Sequence, residues 1–193
     1  MLIYAIRHGQ TDHNLNRIVQ GWSDNPLNAF GEMQAYQLGT YLKQQNIAFD
    51  LIISSPLKRT LKTAEIIQQV MNTSLPVEIE PLFIERDFGV FEGKSVDETM
   101  PIIYVEGFKC DGYEHDEALL RRIHQAVQTI YLKHPTKTIL LSIHSHVIKS
   151  LLILSDPLRY NFQTLLNNGS MCIFNYDGNH LENTAFNIEV LEK

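Results

Sequence analysis

Only two cysteines, Cys110 and Cys172, occur in the 193 residues. Two distant thiols build no disulfide framework, and without a CxxC pair they do not read as a zinc knuckle. Reduced thiols in a cytoplasmic protein is the reading that fits. No apolar run approaches the roughly 20 residues of a membrane span. The apolar start, Met1 to Ile6, runs straight into Arg7 and His8, with neither a basic leader nor a small-residue cleavage site. No membrane segment or secretory signal is therefore expected. Positive charge is scarce as well: 16 Lys and Arg stand against 22 Asp and Glu, a formal net charge of −6. Nucleic-acid binding, which rests on excess Lys and Arg against phosphates, is excluded as a general role. An acidic chain holds a small anion only by gathering its few cations in one place.

Internal repeats, low-complexity tracts and linkers rich in Ser, Gly or Pro are absent too. At this length a folded chain buries roughly 70% of the surface its unfolded form exposes, so one domain over residues 1–193 is expected. Three short apolar runs are present: residues 2–6, 51–53 and 139–143. They are continuous rather than alternating, as strands buried on both faces of a parallel sheet are. Helical spacing fills the gaps: Phe30 to Gln44, Leu57 to Val70 and Asp116 to Leu132. Near the end, Met171 to Tyr176 and His180 to Ile188 flank Asp177-Gly178-Asn179 and read as a hairpin. The expected fold is a three-layer α/β sandwich with a mostly parallel sheet, helices on both faces and an antiparallel edge strand. Residues 88–113 mix glycines, Pro101 and the aromatics Phe88, Phe91, Tyr104, Phe108 and Tyr113 without a period. They read as an irregular lid.

Ligands of open α/β sheets bind beyond the carboxyl ends of the strands. The first run is followed by Arg7-His8-Gly9-Gln10-Thr11, the second by Ser54-Ser55-Pro56-Leu57-Lys58-Arg59, the third by His144-Ser145-His146. One such Arg or His is ordinarily a surface or hydrogen-bonded residue. Three strand ends together describe an anion pocket. Gly9 is expected to let the backbone approach the ligand, and Thr11 or Asp12 to cap a helix.

At this point the chain resembles the histidine phosphatase superfamily, the phosphoglycerate-mutase-like group. The resemblance runs from Arg7-His8-Gly9-Gln10-Thr11 and Asn14 through Gln20-Gly21, Asp24, Pro26-Leu27, Gly31, Gln34-Ala35, Ser54-Ser55-Pro56-Leu57, Arg59 and Thr63-Ala64. It continues with Glu85, Gly89, Phe91-Glu92-Gly93, Gly112, Glu114, Arg122, His144 and Asn168-Gly169-Ser170. It implies a doubly wound α/β sandwich and phosphoryl transfer without metal or cofactor. His8 takes the place of the nucleophile, Arg7, Arg59 and His144 those of the phosphate clamp, and Glu85 that of the general acid and base. Asn14, Gln20, Gly21 and Ser145 fall where substrate is bound. The chain departs from the family at Ser145, where Gly is usual, at Lys149, where Arg is common, at Phe91 in place of Trp, and at His115 in place of Ser.

The side chains suit that chemistry. A neutral imidazole is a nucleophile near neutral pH, guanidinium forks match phosphate oxygens, and a carboxyl group with a raised pKa protonates the leaving oxygen. His144, protonated beside a dianion, is expected to add a third positive donor. Ser54 and Ser55 are rival acceptors of the phosphoryl group, with no base beside them in sequence. A salt bridge to Arg86 is the competing use of Glu85. His146 invites a metal reading with His144, which two nearby arginines oppose; His124, His134 and His180 read as surface residues. The expected activity is a phosphomonoester phosphatase acting on a small phosphorylated molecule through a phosphohistidine. A phosphoglycerate mutase and a non-catalytic phospho-ligand binder are the alternatives. The stretch between Glu85 and His144 is short for a mutase. Oligomeric state is not readable.

Overall fold

Residues 1–105 and 107–190 are described by the computed structural model; Glu106 in the expected lid and residues 191–193 of the expected domain lie outside them. The three apolar runs lie side by side in a six-stranded sheet. Its strands are β1 (Leu2–Arg7), β2 (Leu51–Ser54), β3 (Val77–Ile79), β4 (Thr138–Ile143), β5 (Met171–Tyr176) and β6 (Leu181–Ile188), in the order β3-β2-β4-β1-β5-β6. The pairs β2–β3, β2–β4 and β1–β4 are parallel, while β1–β5 and β5–β6 are antiparallel. The antiparallel edge is thus the expected hairpin, two strands wide.

The continuous apolar runs are explained by the two helical layers. Ile3 and Ala5 of β1, Ile53 of β2 and Ile139, Leu141 and Ile143 of β4 face one layer. Ile6, Ile52 and Leu140 face the other. Alternate residues point to opposite faces, and here both faces are covered. On the first face lie α5 (Asp116–Lys133) and α6 (Ser145–Ser155), on the second α2 (Ala29–Gln44) and α3 (Lys58–Met71). The buried stripe of α5, Leu119, Ile123, Ala126, Val127 and Ile130, has helical spacing. Each such residue contributes about 1.5–3 kcal/mol by leaving water. Among the described residues no helix is long and apolar enough to cross a membrane.

Two elements are not visible in the sequence pattern. The strand β3 has three residues and sits at the sheet edge. In α6 every residue from His146 to Leu152 is buried, so no polar face marks a period. The 88–113 segment is also more regular than expected. It contains α4 (Val96–Ile103), whose Val96, Met100 and Ile103 repeat at helical spacing around Pro101. Backbone bonds from Val96 N–H to Arg17 C=O (2.8 Å), Val19 N–H to Lys94 C=O (2.8 Å) and Gly93 N–H to Val19 C=O (2.9 Å) fasten this segment to the N-terminal loop. Val19, Phe88, Phe91, Ile103 and Tyr113 form a small core beneath it.

Thr11 caps α1 (Asp12–Leu15) in a reciprocal box with Asn14. Gly9 has a different reason from the expected one. A Cβ there would meet the Gly31 carbonyl oxygen at 2.2 Å, and a Cβ on Gly31 would meet the Gln10 carbonyl oxygen at 2.1 Å. The two glycines let the first turn of α2 press against the loop after β1.

Candidate active site

Arg7 ends β1, and His8 follows it. Arg59 stands in the first turn of α3, just past β2, and His144 is the residue before α6, just past β4. These three strands are adjacent, so their carboxyl ends bring the four side chains together. The rings of His8 and His144 lie 5.3 Å apart, edge to face at 65°. The backbone of His8 is held on both sides: its N–H donates to Ile143 C=O (3.0 Å), and its C=O accepts from Gly169 N–H (3.1 Å). Its Nδ1 lies 2.7 Å from the Gly9 carbonyl oxygen. A carbonyl only accepts, so Nδ1 carries the proton and the lone pair is on Nε2. Burial first, then Arg59 and Arg7, hold the imidazole pKa well below its usual 6.5, so the ring is neutral.

The arginines are anchored by backbone. Arg59 donates from its two terminal nitrogens to Ser23 C=O and Gly21 C=O, both at 2.7 Å. Arg7 donates to Leu166 C=O at 2.5 Å. The Nε of each is buried without a partner, and neither forms a salt bridge among the described residues. Burial lowers both pKa values to about 10, which leaves both charged at neutral pH. Gln20 Nε2 and His144 Nδ1 are buried without partners as well. An unmatched buried polar atom costs about 1–3 kcal/mol, and here the unmatched donors cluster around His8. That clustering suits a ligand rich in acceptors, as a phosphate is.

Burial, Arg59, His8 and Arg7 hold the pKa of His144 well below 6.5, so without a dianion beside it the ring is neutral. Its Nε2 lies 2.6 Å from Ser55 Oγ. With the serine hydroxyl donating to Nε2, the ring proton sits on the unmatched Nδ1. Ser55 thus has a base beside it after all, although the hydroxyl is fully buried. Ser54 Oγ is bonded to the Ser55 carbonyl (2.9 Å).

Glu85 is buried in the loop after β3. Its two oxygens accept from Arg86 N–H (2.9 Å) and His146 N–H (3.3 Å). Burial outweighs those bonds and the nearby Arg59, so its pKa is raised above 4.5. The competing pair with Arg86 is not formed. Arg86 turns to Asp116 (2.7 Å) and the Tyr113 hydroxyl, with its guanidinium 4.2 Å from the Phe162 ring centre. The Glu85 loop is gripped from behind by Arg122, which donates to Leu82 C=O (2.6 Å) and Ile84 C=O (2.8 Å) and is itself held by Glu114 (2.7 Å). The sequence displays the Glu114–Arg122 spacing but not the loop it fastens.

A cavity of about 480 Å³ opens over this edge, with Arg7, His8 and Glu85 in its wall beside Asn14, Gln20 and Ser145. Arg59 and His144 are fully buried and are not among its lining residues. Gly21 is not part of it: its N–H goes to the Glu92 carboxylate (2.8 Å) and its C=O to Arg59. This glycine holds Arg59 through its carbonyl. Of the expected lid aromatics, Phe88 and Tyr104 reach the cavity, whereas Phe91, Phe108 and Tyr113 pack on one another at 5.5–6.1 Å. His124 and His180 are exposed and His134 half-buried. His146 and Lys149, which the sequence does not single out as substrate groups, both line the cavity. Among the described residues no three His, Cys, Asp or Glu side chains cluster as a metal ligand set.

Known proteins carry the same pattern. The family model for the histidine phosphatase superfamily, branch 1, matches residues 3–189. The chain is 37% identical to the uncharacterized phosphatase PhoE of Bacillus subtilis over 150 residues, 78% of this chain and 75% of that protein. It is 40% identical to the broad-specificity phosphatase YOR283W of Saccharomyces cerevisiae over 98 residues, 50% of this chain and 43% of that one. Among solved structures, a phosphoglycerate mutase from Bacillus anthracis superposes with a TM-score of 0.86 at 24% identity, covering 97% of this chain and 92% of its own; this likeness concerns the fold. With the family match running from β1 through β6, the chain belongs to the histidine phosphatase superfamily.

Proposed function

We propose that this chain is a phosphomonoester phosphatase that works through a phosphohistidine on His8, without a metal. The observation that carries the reading is the tautomer of His8: Gly9 fixes the proton on Nδ1, and Nε2 offers its lone pair beside two arginines that form no salt bridge among the described residues. Nε2 attacks phosphorus in line, and the ester P–O bond breaks. Arg7 and Arg59 take the charge of the equatorial oxygens, and His144 Nδ1 donates a hydrogen bond to one of them. Glu85, whose pKa burial raises, gives its proton to the departing alkoxide. A water then attacks the phosphohistidine, Glu85 takes its proton back from that water, the P–N bond breaks, and phosphate leaves.

Asn14, Gln20 and Ser145 are assigned to substrate contact. Hydrolysis is preferred to mutase transfer because the stretch between Glu85 and His144 is short, and relatives named as phosphatases support it. The presence of both His8 and Glu85 speaks against a purely binding role. Free thiols at Cys110 and Cys172 support a cytoplasmic setting.

The test is rapid quench with a radiolabelled phosphomonoester. Label should appear on the protein in a bond that is acid-labile and base-stable. It should vanish in His8→Ala and form more slowly in His144→Ala. Acid-stable label, or label persisting in His8→Ala, overturns the assignment. Turnover should also survive EDTA and be blocked by vanadate; loss in chelator with recovery on adding a divalent ion would refute the metal-free step.

A further inference from the structure

Arg86 follows Glu85 directly in the chain and is fully buried. A buried guanidinium needs an anion, because an unpaired charge out of water is costly. Two carboxylates compete for it: that of Glu85, one residue away, and that of Asp116 in the first turn of α5. The structure gives it to Asp116. One terminal nitrogen of Arg86 donates to Asp116 Oδ1 (2.7 Å) and the other to the Tyr113 hydroxyl. The Tyr113 and Phe162 ring centres lie 5.3 and 4.2 Å from the guanidinium carbon. Only Nε is left, buried and without a partner. Glu85 meets the backbone N–H of Arg86 instead of its side chain.

The cations around the Glu85 carboxyl group fall into two sets. Arg7 from β1 and Arg59 from α3 form no salt bridge among the described residues, and an incoming phosphoryl dianion matches them. Arg86 on the loop itself and Arg122 from α5 take no part in the clamp. Each is matched by a carboxylate at or just before the start of α5, Asp116 and Glu114 respectively. The other titratable neighbours are His146 and Lys149 from α6 and Tyr104 from beyond α4. Asp116 sits where a helix N-terminus favours negative charge. Its side chain is 57% exposed, so holding that charge costs little desolvation. Without it the Arg86 charge would fall on Glu85, and an adjacent cation favours the ionised form of a carboxyl group. An ionised Glu85 has no proton for the leaving alkoxide.

We propose that Asp116 is a positioning residue for the general acid: by taking the Arg86 guanidinium, it leaves the Glu85 carboxyl group free to carry its proton. The proposal rests on the phosphatase reading and on Glu85 as its acid. Asp116 is absent from the wall of the catalytic cavity, so it acts through Arg86.

The experiment follows kcat/KM for glycerol 2-phosphate, an alkyl ester that needs an acid, against pH. Asp116→Asn should move the alkaline limb to lower pH by about half a unit or more, because an unmatched cation then favours the Glu85 carboxylate. The titration of the ester itself is common to every variant and cancels. Asp116→Glu should keep the native limb. Replacing the pair together, Arg86→Leu with Asp116→Leu, should return the limb close to its native place, since both charges leave. A loss equal at every pH in Asp116→Asn, with the limb unmoved, reduces the pair to a structural contact and overturns the proposal. If Asp116→Asn does not fold, Arg86→Leu alone decides. With Asp116 still present its limb should lie higher than in the paired replacement, and identical limbs overturn the proposal. Turnover and label on His8 in the native protein keep the phosphatase reading standing whatever the limb does. An alkaline limb that persists in Glu85→Gln removes the acid assignment and this proposal with it. Absence of both turnover and label sinks the phosphatase reading itself.

Discussion

Ser55 Oγ and His144 Nε2 are 2.6 Å apart, both fully buried where β2 and β4 end. A serine hydroxyl that donates to Nε2 puts the ring proton on Nδ1, the nitrogen without a protein partner. Ser55→Ala should lower kcat/KM by about 3–10-fold, the worth of one ordinary hydrogen bond, and leave the label on His8. Loss of the label altogether would make Ser55 the acceptor.

In the proposed mechanism the pH dependence of turnover follows from two groups. His8 must be unprotonated; its pKa is depressed, so the acid limb lies below 6.5. Glu85 must be protonated; its pKa is raised, so the alkaline limb lies above 4.5. Glu85→Gln should remove the alkaline limb and keep the acid one.

Leaving-group dependence isolates the same carboxyl group. Glu85→Gln should slow an alkyl phosphate about 100-fold or more, within the usual range for acid–base catalysis. p-Nitrophenyl phosphate, whose leaving group needs little protonation, should slow far less. Equal losses on both would leave Glu85 with a structural role only.

Arg122 touches carbonyls on the Glu85 loop and lies outside the cavity wall. Arg122→Met should cost about 3 kcal/mol of stability, because it strands Glu114 half-buried. It should lower kcat more than it raises KM and shift the alkaline limb of the pH profile. Arg122→Lys should recover part of the kcat. A fall in denaturation midpoint with the pH profile unmoved would mean that the pair serves stability alone.

Gly9→Ala should be more damaging than its chemistry suggests. The added methyl meets a backbone oxygen at 2.2 Å, which no rotamer relieves. A loss of about 1–3 kcal/mol, as for overpacking, should appear as a lower midpoint in urea. An unchanged midpoint would show that α2 can shift away.

The sheet and the clamp were legible because their causes are local. β1, β2 and β4 carry continuous apolar runs since both faces are covered, and Arg7, His8, Arg59 and His144 lie at or shortly after the points where those runs stop. What was not legible depends on distant partners. The lowered pKa of His144 comes first from its burial and then from Arg59, His8 and Arg7, which come from two other strand ends. Gly21 is placed at the substrate pocket by the resemblance alone, and no spacing shows that its carbonyl is taken by Arg59. α4 was masked by Pro101 and the surrounding aromatics, and α6 by having no polar side. Lys149 stood out only as a replacement for arginine; its place in the cavity wall is set by packing that no spacing reveals.

The register of the central strand pair governs when the site can exist. Leu2 lies beside Thr138 on one flank of β1 and beside Asn175 on the other. A growing polypeptide therefore presents His8 early but acquires both neighbours of its strand only after most of the sequence has been made. Such distant pairing is slow to form, because the chain must close large loops before any contact rewards it. Recovery of turnover during refolding is then a clock for the pairing of β2, β4 and β1, the three adjacent strands whose ends bring Arg59, His144 and Arg7 around one point.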